Sequence, residues 1–185
     1  MTNDNTAELA FKAASGNRYA FNLLVEEVYH DIYRLCYRYC GVREDAEDVT
    51  QEVFIKLGKG IGSFKGDSAF RTWLYRLAVN VIQDHFRKVK KTRKNIAFDE
   101  SLELESGDES SEEVIYKKQV VKAVDALPPK LKQVVVLVYA EDMSHSEVAK
   151  ILGCSEGTVS WRIHEAKKKL SGVKEKIRFV IFWIF

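Results

Sequence analysis

Prolines occupy only positions 128 and 129 of this 185-residue chain, and the two are adjacent. The residue that most strongly interrupts a helix is therefore absent from everything before and after. Runs rich in β-formers are scarce, so the chain is expected to be all-α. Phe21, Leu24, Val25, Val28, Ile32, Leu35 and Tyr39 recur at spacings suited to one apolar stripe of a long helix, which Gly41 ends. A second helix is expected from Asp45 to about Leu57. Acids crowd its first turn, where the helix dipole favours them, and Gly58, Gly60 and Gly62 stop it. After the polar loop SFKGDS, a third helix begins near Ala69. Its apolar positions Phe70, Trp73, Leu74, Leu77, Val81 and Ile82 keep helical spacing up to the basic run RKVKKTRK.

Net charge is only +2, which argues against indiscriminate coating of nucleic acid, but its distribution is uneven. Arg71 to Lys94 carries eight bases against the single acid Asp84, whereas Asn95 to Val114 carries eight acids and no base. The acidic stretch mixes its charge with Ser and Gly, and such a segment cannot offset its ordering entropy by burial. It is expected to be a flexible linker over 95–111, between small helical domains at 1–94 and 112–185. In the second domain, Val114, Val120, Val121, Val124 and Leu127 predict one helix, with a stop and restart at Pro128 and Pro129. A very apolar helix is then expected from Leu131 to Tyr139, a short one from Ser144 to Leu152, and a last one capped by Ser155.

The segment MSHSEVAKILGCSEGTVSWRIHEAKKKL has the pattern of a helix-turn-helix. Ser144 or Ser146 can cap its first helix, Val148, Ala149 and Leu152 face inward, and Gly153 suits a left-handed turn residue. Val159, Ile163, Ala166 and Leu170 make the inner stripe of the second helix. That leaves Glu156, Ser160, Trp161, His164, Glu165 and Lys168 outward, with Arg162, Lys167 and Lys169 where phosphates would flank a groove-lying helix.

Cys36, Cys40 and Cys154 make no disulfide framework, and the N-terminus has no secretory signal pattern, so a reducing cytoplasm is expected. Cys36 and Cys40 lie one helical turn apart and suit a buried apolar face or, alternatively, a metal or redox pair. There is no phosphate loop, nucleophile elbow or His/Cys cluster, and His30, His85, His145 and His164 are scattered. No enzymatic activity, catalytic residue, metal, cofactor or small-molecule substrate is expected.

Three motifs in order resemble those of the sigma factors of bacterial RNA polymerase, specifically the small extracytoplasmic-function (ECF) group, from about Ala13 to Leu170. DAEDVTQEVFIKL is similar to that family's core-polymerase-binding helix and FRTWLYRLAVNVIQDHFRK to its promoter-melting and minus-10 helix. The segment from Leu127 to Leu170 resembles its minus-35-binding domain. The resemblance implies a sigma factor that binds core RNA polymerase and promoter DNA and is held by an anti-sigma factor. It implies a cytoplasmic protein, or one held at the inner membrane face through that partner. A helix-turn-helix regulator that never touches polymerase would share only the C-terminal half.

On the core-binding helix the resemblance implies Asp45, Glu47, Asp48, Gln51 and Glu52 as the polar surface, with Val49, Val53 and Phe54 as the apolar anchor. For the minus-10 strand it implies Asn80 and the loop from Ser63 to Ala69, Phe64 and Lys65 included, capturing a flipped base. Tyr75, Arg76 and Arg87 join them. The mix of aromatics and bases suits stacking on single strands, with Phe70, Trp73 and Leu77 buried and Tyr75, Arg76 and Asn80 exposed. Val79 departs from the arginine often found before that asparagine, which would remove one phosphate contact. For minus-35 the implied set is Thr158, Ser160, Trp161, Arg162, His164, Glu165, Lys167 and Lys168. Trp161 can lie on thymine methyls or a sugar-phosphate wall, or cap the core; Glu165 can accept from a cytosine amino group, or pair with Lys168 or Lys169. The acidic linker can mimic nucleic acid in a basic channel or fold back on Arg87 to Lys94. The apolar tail Phe179 to Phe185 is too short to span a bilayer and suits packing, a protein contact or a membrane surface.

Overall fold

The computed structural model describes residues 3–95 and 112–170; side-chain surroundings are described over 5–89 and 119–170. The expected linker and the apolar tail lie outside the described residues. Every regular element among those residues is helical: α1 (Asn3–Ala14), α2 (Arg18–Cys40), α3 (Arg43–Gly60), α4 (Phe70–Asn95), α5 (Glu112–Asp125), α6 (Pro129–Val135), α7 (His145–Leu152) and α8 (Glu156–Lys169). The chain divides into two compact units, one built mainly on Met1–Lys91 and the other mainly on the chain from Thr92 onward.

In the first unit, α2 starts where the Asn17 side chain accepts the Ala20 amide at 3.0 Å and stops at Gly41, whose φ of 72° is the left-handed cap. Its buried stripe is Ala20, Leu24, Val28, Ile32, Leu35, Cys36 and Tyr39. Each large aliphatic side chain so buried contributes about 1.5–3 kcal/mol. Phe21 and Val25 are only half-buried, at the edge of that stripe. Both α1 and α3 pack on α2. Helix α1 was not expected from the pattern, because its buried positions are Ala10 and Ala13, small residues that give little apolar signal. Helix α3 buries Ala46, Val49, Thr50, Val53 and Leu57 and runs through Gly58 to Gly60, followed by a 3₁₀ turn at Ile61–Ser63. The glycines thus mark the end of α3 without breaking it where they first occur. Cys36 is a buried apolar group, and desolvation pushes its thiol up to about 11 despite a hydrogen bond with Thr50.

Helix α4 buries Phe70, Leu74, Tyr75, Ala78, Val79, Val81 and Ile82. It is tied to α3 by Lys56 to Asp84 at 3.5 Å and His85 to Asp45 at 3.8 Å. The second unit packs α6 against α5 and α8. The apolar helix expected to end at Tyr139 is α-helical only to Val135 and continues as a π-helical turn over Val136–Ala140. Among the described residues no buried side-chain polar atom lacks a hydrogen-bond partner, and no helix is long and apolar enough to cross a membrane.

Candidate nucleic-acid and polymerase surfaces

The helix-turn-helix is built from local rules. Ser144 caps α7 in a reciprocal box: its side chain accepts the Glu147 amide, and Glu147 accepts the Ser144 amide at 2.9 Å. Gly153, at φ 62°, ends α7, and its amide returns to the Ala149 carbonyl. Ser155 then caps α8 by accepting the Thr158 amide at 3.1 Å, with the two hydroxyls 2.9 Å apart. Val159, Ile163, Ala166 and Leu170 are all buried, as their spacing requires. On α7, Val148 and Ala149 are buried, but the third inward position is Ile151, with Leu152 half-buried.

With that stripe inside, Ser160, Trp161, His164, Lys167 and Lys168 are exposed, while Thr158, Arg162 and Glu165 are half-buried. Trp161 is 60% exposed and does not cap the core. Among the described residues Glu165 makes no ion pair, so pairing with Lys168 or Lys169 does not explain it. Several neighbours are steered from within the unit. The Ser160 hydroxyl is 3.0 Å from Nδ1 of His145, the Arg162 guanidinium reaches Sγ of Cys154 at 3.9 Å, and the Lys167 ammonium sits 5.7 Å from the Tyr139 ring centre. Trp161, Glu165 and Lys168 follow one another at four and three residues, so they share one face of α8.

In the first unit, α4 presents Arg76, Asn80 and Arg87 on its exposed side, with Arg87 hydrogen-bonded to Asp84. That guanidinium, with Lys56 behind it, holds the Asp84 carboxyl below its ordinary range. Two expected strand contacts are corrected. Tyr75 is 2% exposed, its register placing it beside Leu74 in the core with the Arg71 guanidinium 5.1 Å from its ring centre. Phe64 is also buried, edge-on to Phe70 at 5.3 Å and to Trp73 at 5.7 Å. Neither ring can stack on a base from there; the exposed aromatic of α4 is Phe86. Phe70 is buried as expected, but Trp73 and Leu77 are only half-buried. Val79 is a core residue, so its side chain serves packing. Ser63, Lys65 and Asp67 are exposed on the loop, and the Ser63 hydroxyl donates to the Gly60 carbonyl at 2.7 Å.

On α3, Val49 and Val53 are core residues and cannot anchor a partner. Burial of the 46, 49, 50, 53, 57 stripe turns Glu44, Asp48, Gln51 and Ile55 outward, and Ile55 is 50% exposed. Subtracting the buried stripe from the sequence would have found it. Asp45 faces His85, Glu47 accepts from Arg43 at 2.8 Å, and Glu52 lies 3.5 Å from Lys56. Phe54 is half-buried and stacks on Tyr29 at 5.5 Å, and Tyr29, Tyr33 and Tyr37 stack in turn along α2. The four-residue spacing of those tyrosines is the sequence signal that could have found this face.

Two family profiles match: Sigma-70 region 2 over residues 24–92 and Sigma-70, region 4 over residues 117–170. The RNA polymerase sigma-H factor of Pseudomonas aeruginosa is 32% identical over 92% of this chain and 94% of its own length. The ECF RNA polymerase sigma-E factor of Escherichia coli is 34% identical over 88% of this chain and 90% of its own. Among solved structures, CnrH in complex with the cytosolic domain of CnrY superposes with a TM-score of 0.68 at 27% identity, covering 91% of this chain and 96% of that one. The sigma factor RpoE in complex with the anti-sigma factor NepR from Bartonella quintana shares the fold, with a TM-score of 0.69 at 22% identity over 83% and 95% of the two chains. The region 2 match in the first unit removes the reading of a regulator independent of polymerase. The chain belongs to the extracytoplasmic-function group of the sigma-70 family, non-enzymatic factors that bind core RNA polymerase and direct promoter-specific transcription initiation.

Proposed function

We propose that this sigma factor divides promoter recognition and core binding among three surfaces. The outer face of α8, with Ser160, Trp161, His164, Glu165 and Lys168, enters the major groove at minus-35, and Thr158, Arg162 and Lys167 take the flanking phosphates. The 63–69 loop, through Ser63 and Lys65, together with Arg76, Asn80 and Arg87, holds a base flipped from the minus-10 strand. That extrusion costs a few kcal/mol and is driven by binding energy, without ATP. The outward side of α3, with Asp48, Gln51 and Ile55 and with Asp45, Glu52 and Phe54 at its margins, docks on core polymerase, charge at the rim and an apolar anchor within.

The observation that carries this reading is the outer face of α8: with Val159, Ile163, Ala166 and Leu170 buried, Ser160, Trp161, His164, Lys167 and Lys168 stand exposed together on the second helix of a capped helix-turn-helix. Transcription in vitro with core polymerase and a promoter library is the test. Core-dependent initiation at a defined minus-35 and minus-10 pair is the expected result, and initiation without promoter preference would refute the assignment.

Restraint by an anti-sigma protein in the cytoplasm belongs to the same proposal. It is supported by the similar CnrH having been solved in complex with the cytosolic domain of CnrY. Co-purification of this chain with a protein that abolishes its transcription in vitro is the corresponding measurement.

A further inference from the structure

Phe11 is the odd residue of α1: a large aromatic, 48% exposed, on a helix whose buried positions are alanines. Its ring stands 5.2 Å from Phe64, the centre of a cluster that also holds Phe70 and Trp73 on the first turn of α4. It also lies directly over Gly66, so closely that a Cβ there would come within 2.6 Å of its Cζ. Gly66 has φ +81°, a left-handed conformation that glycine adopts without strain. Within the loop Phe64 is buried toward α1 and α4 and Gly66 lies against the Phe11 ring, while Ser63, Lys65 and Asp67 beside them are exposed. Helix α1 also packs on the preceding 3₁₀ turn, and it lies ahead of the residues that match the family profile.

We propose that Phe11 is a positioning residue for minus-10 recognition: it clamps the loop at Phe64 and Gly66 from α1, and thereby aims Lys65 and its neighbours at the captured base. The inference rests on the assignment of the 63–69 loop to the minus-10 strand. An unclamped loop of this size would sample many conformations, and each productive encounter would then carry an ordering cost that the clamp removes in advance. Because Phe11 is half exposed, its truncation removes the clamp while leaving the buried stripes of α2, α3 and α4 intact.

The test uses full-length protein assembled with core polymerase and fork promoter DNAs that vary the minus-10 element one position at a time. Phe11→Ala is expected to leave core affinity unchanged and to cut discrimination at one minus-10 position by about tenfold, ~1.4 kcal/mol. Phe11→Tyr, which keeps the ring, restores it. Discrimination unmoved by Phe11→Ala but lost in Lys65→Ala overturns the clamp alone. Discrimination unmoved by either variant overturns the loop assignment and the clamp with it. Equal weakening of core binding and of every DNA by Phe11→Ala, with no rescue by Phe11→Tyr, also overturns the clamp, because that pattern marks general loss of the fold.

Discussion

Glu165 sits on the same face of α8 as Trp161 and Lys168 and, among the described residues, has no cationic partner, so its carboxylate is available to an amino group on a base edge. Glu165→Ala should therefore tighten binding to DNA of any sequence, by removing a charge repelled by phosphate. It should also relax preference at one minus-35 base pair by about 1–3 kcal/mol, read by competition binding with single-base variants. An unchanged preference leaves Glu165 a surface carboxylate only. Lys167→Ala is expected to act in the opposite way: weaker binding across all sequences, with the slope of log affinity against log salt reduced by about 1. Cys36 makes a prediction about stability. Its pKa is raised to about 11 by burial, so folding keeps the thiol protonated above the pH at which the unfolded chain ionises. That contribution is fully present below the unfolded pKa and is lost as pH rises toward 11. It amounts to about 2–3 kcal/mol at most. Urea melts from pH 8 to 11 should show a steeper fall for the native chain than for Cys36→Ala.

At the level of elements, the helix-turn-helix depends on the caps that set the angle between α7 and α8. Ser144→Ala removes the hydroxyl that accepts the Glu147 amide and should lower the stability of the second unit by about 1 kcal/mol. Gly153→Val has open space for its side chain but meets a φ of 62°, unfavourable for a β-branched residue, so it should destabilise by at least ~1–2 kcal/mol. Thermal melts of both variants check this. The same elements mark how far local rules reach. The Ser155 cap, the Gly41 and Gly153 stops and the α8 inner stripe were legible because each depends on a few neighbouring residues. Helix α1 was not, since alanine burial leaves no periodic apolar contrast. Nor was the π-helical turn at Val136–Ala140, where residues spaced for an α-helix are rewound in the packed unit.

Across the whole molecule, the proposed surfaces should separate by mutation. Ile55→Ser should weaken binding to core polymerase by about 1–2 kcal/mol while leaving the free chain's affinity for minus-35 duplex unchanged, whereas Lys168→Ala should do the reverse. Fluorescence titration against core enzyme and against duplex DNA would measure both, and coupled losses in either variant would show that the surfaces are not independent. The helical class, the order of the three motifs and the helix-turn-helix were all determined by the sequence alone, because periodicity, capping and turn chemistry act over one or two turns. Only the tertiary structure decided the sides taken by several aromatic and apolar residues. Tyr75 and Phe64 went to the core and Trp161 stayed in solvent, while Val49 and Val53 yielded their outward role to Ile55. The reason is physical: a stripe boundary shifts by one position, about 100° around the helix, according to which neighbour it packs against, and that neighbour is supplied by a distant part of the chain.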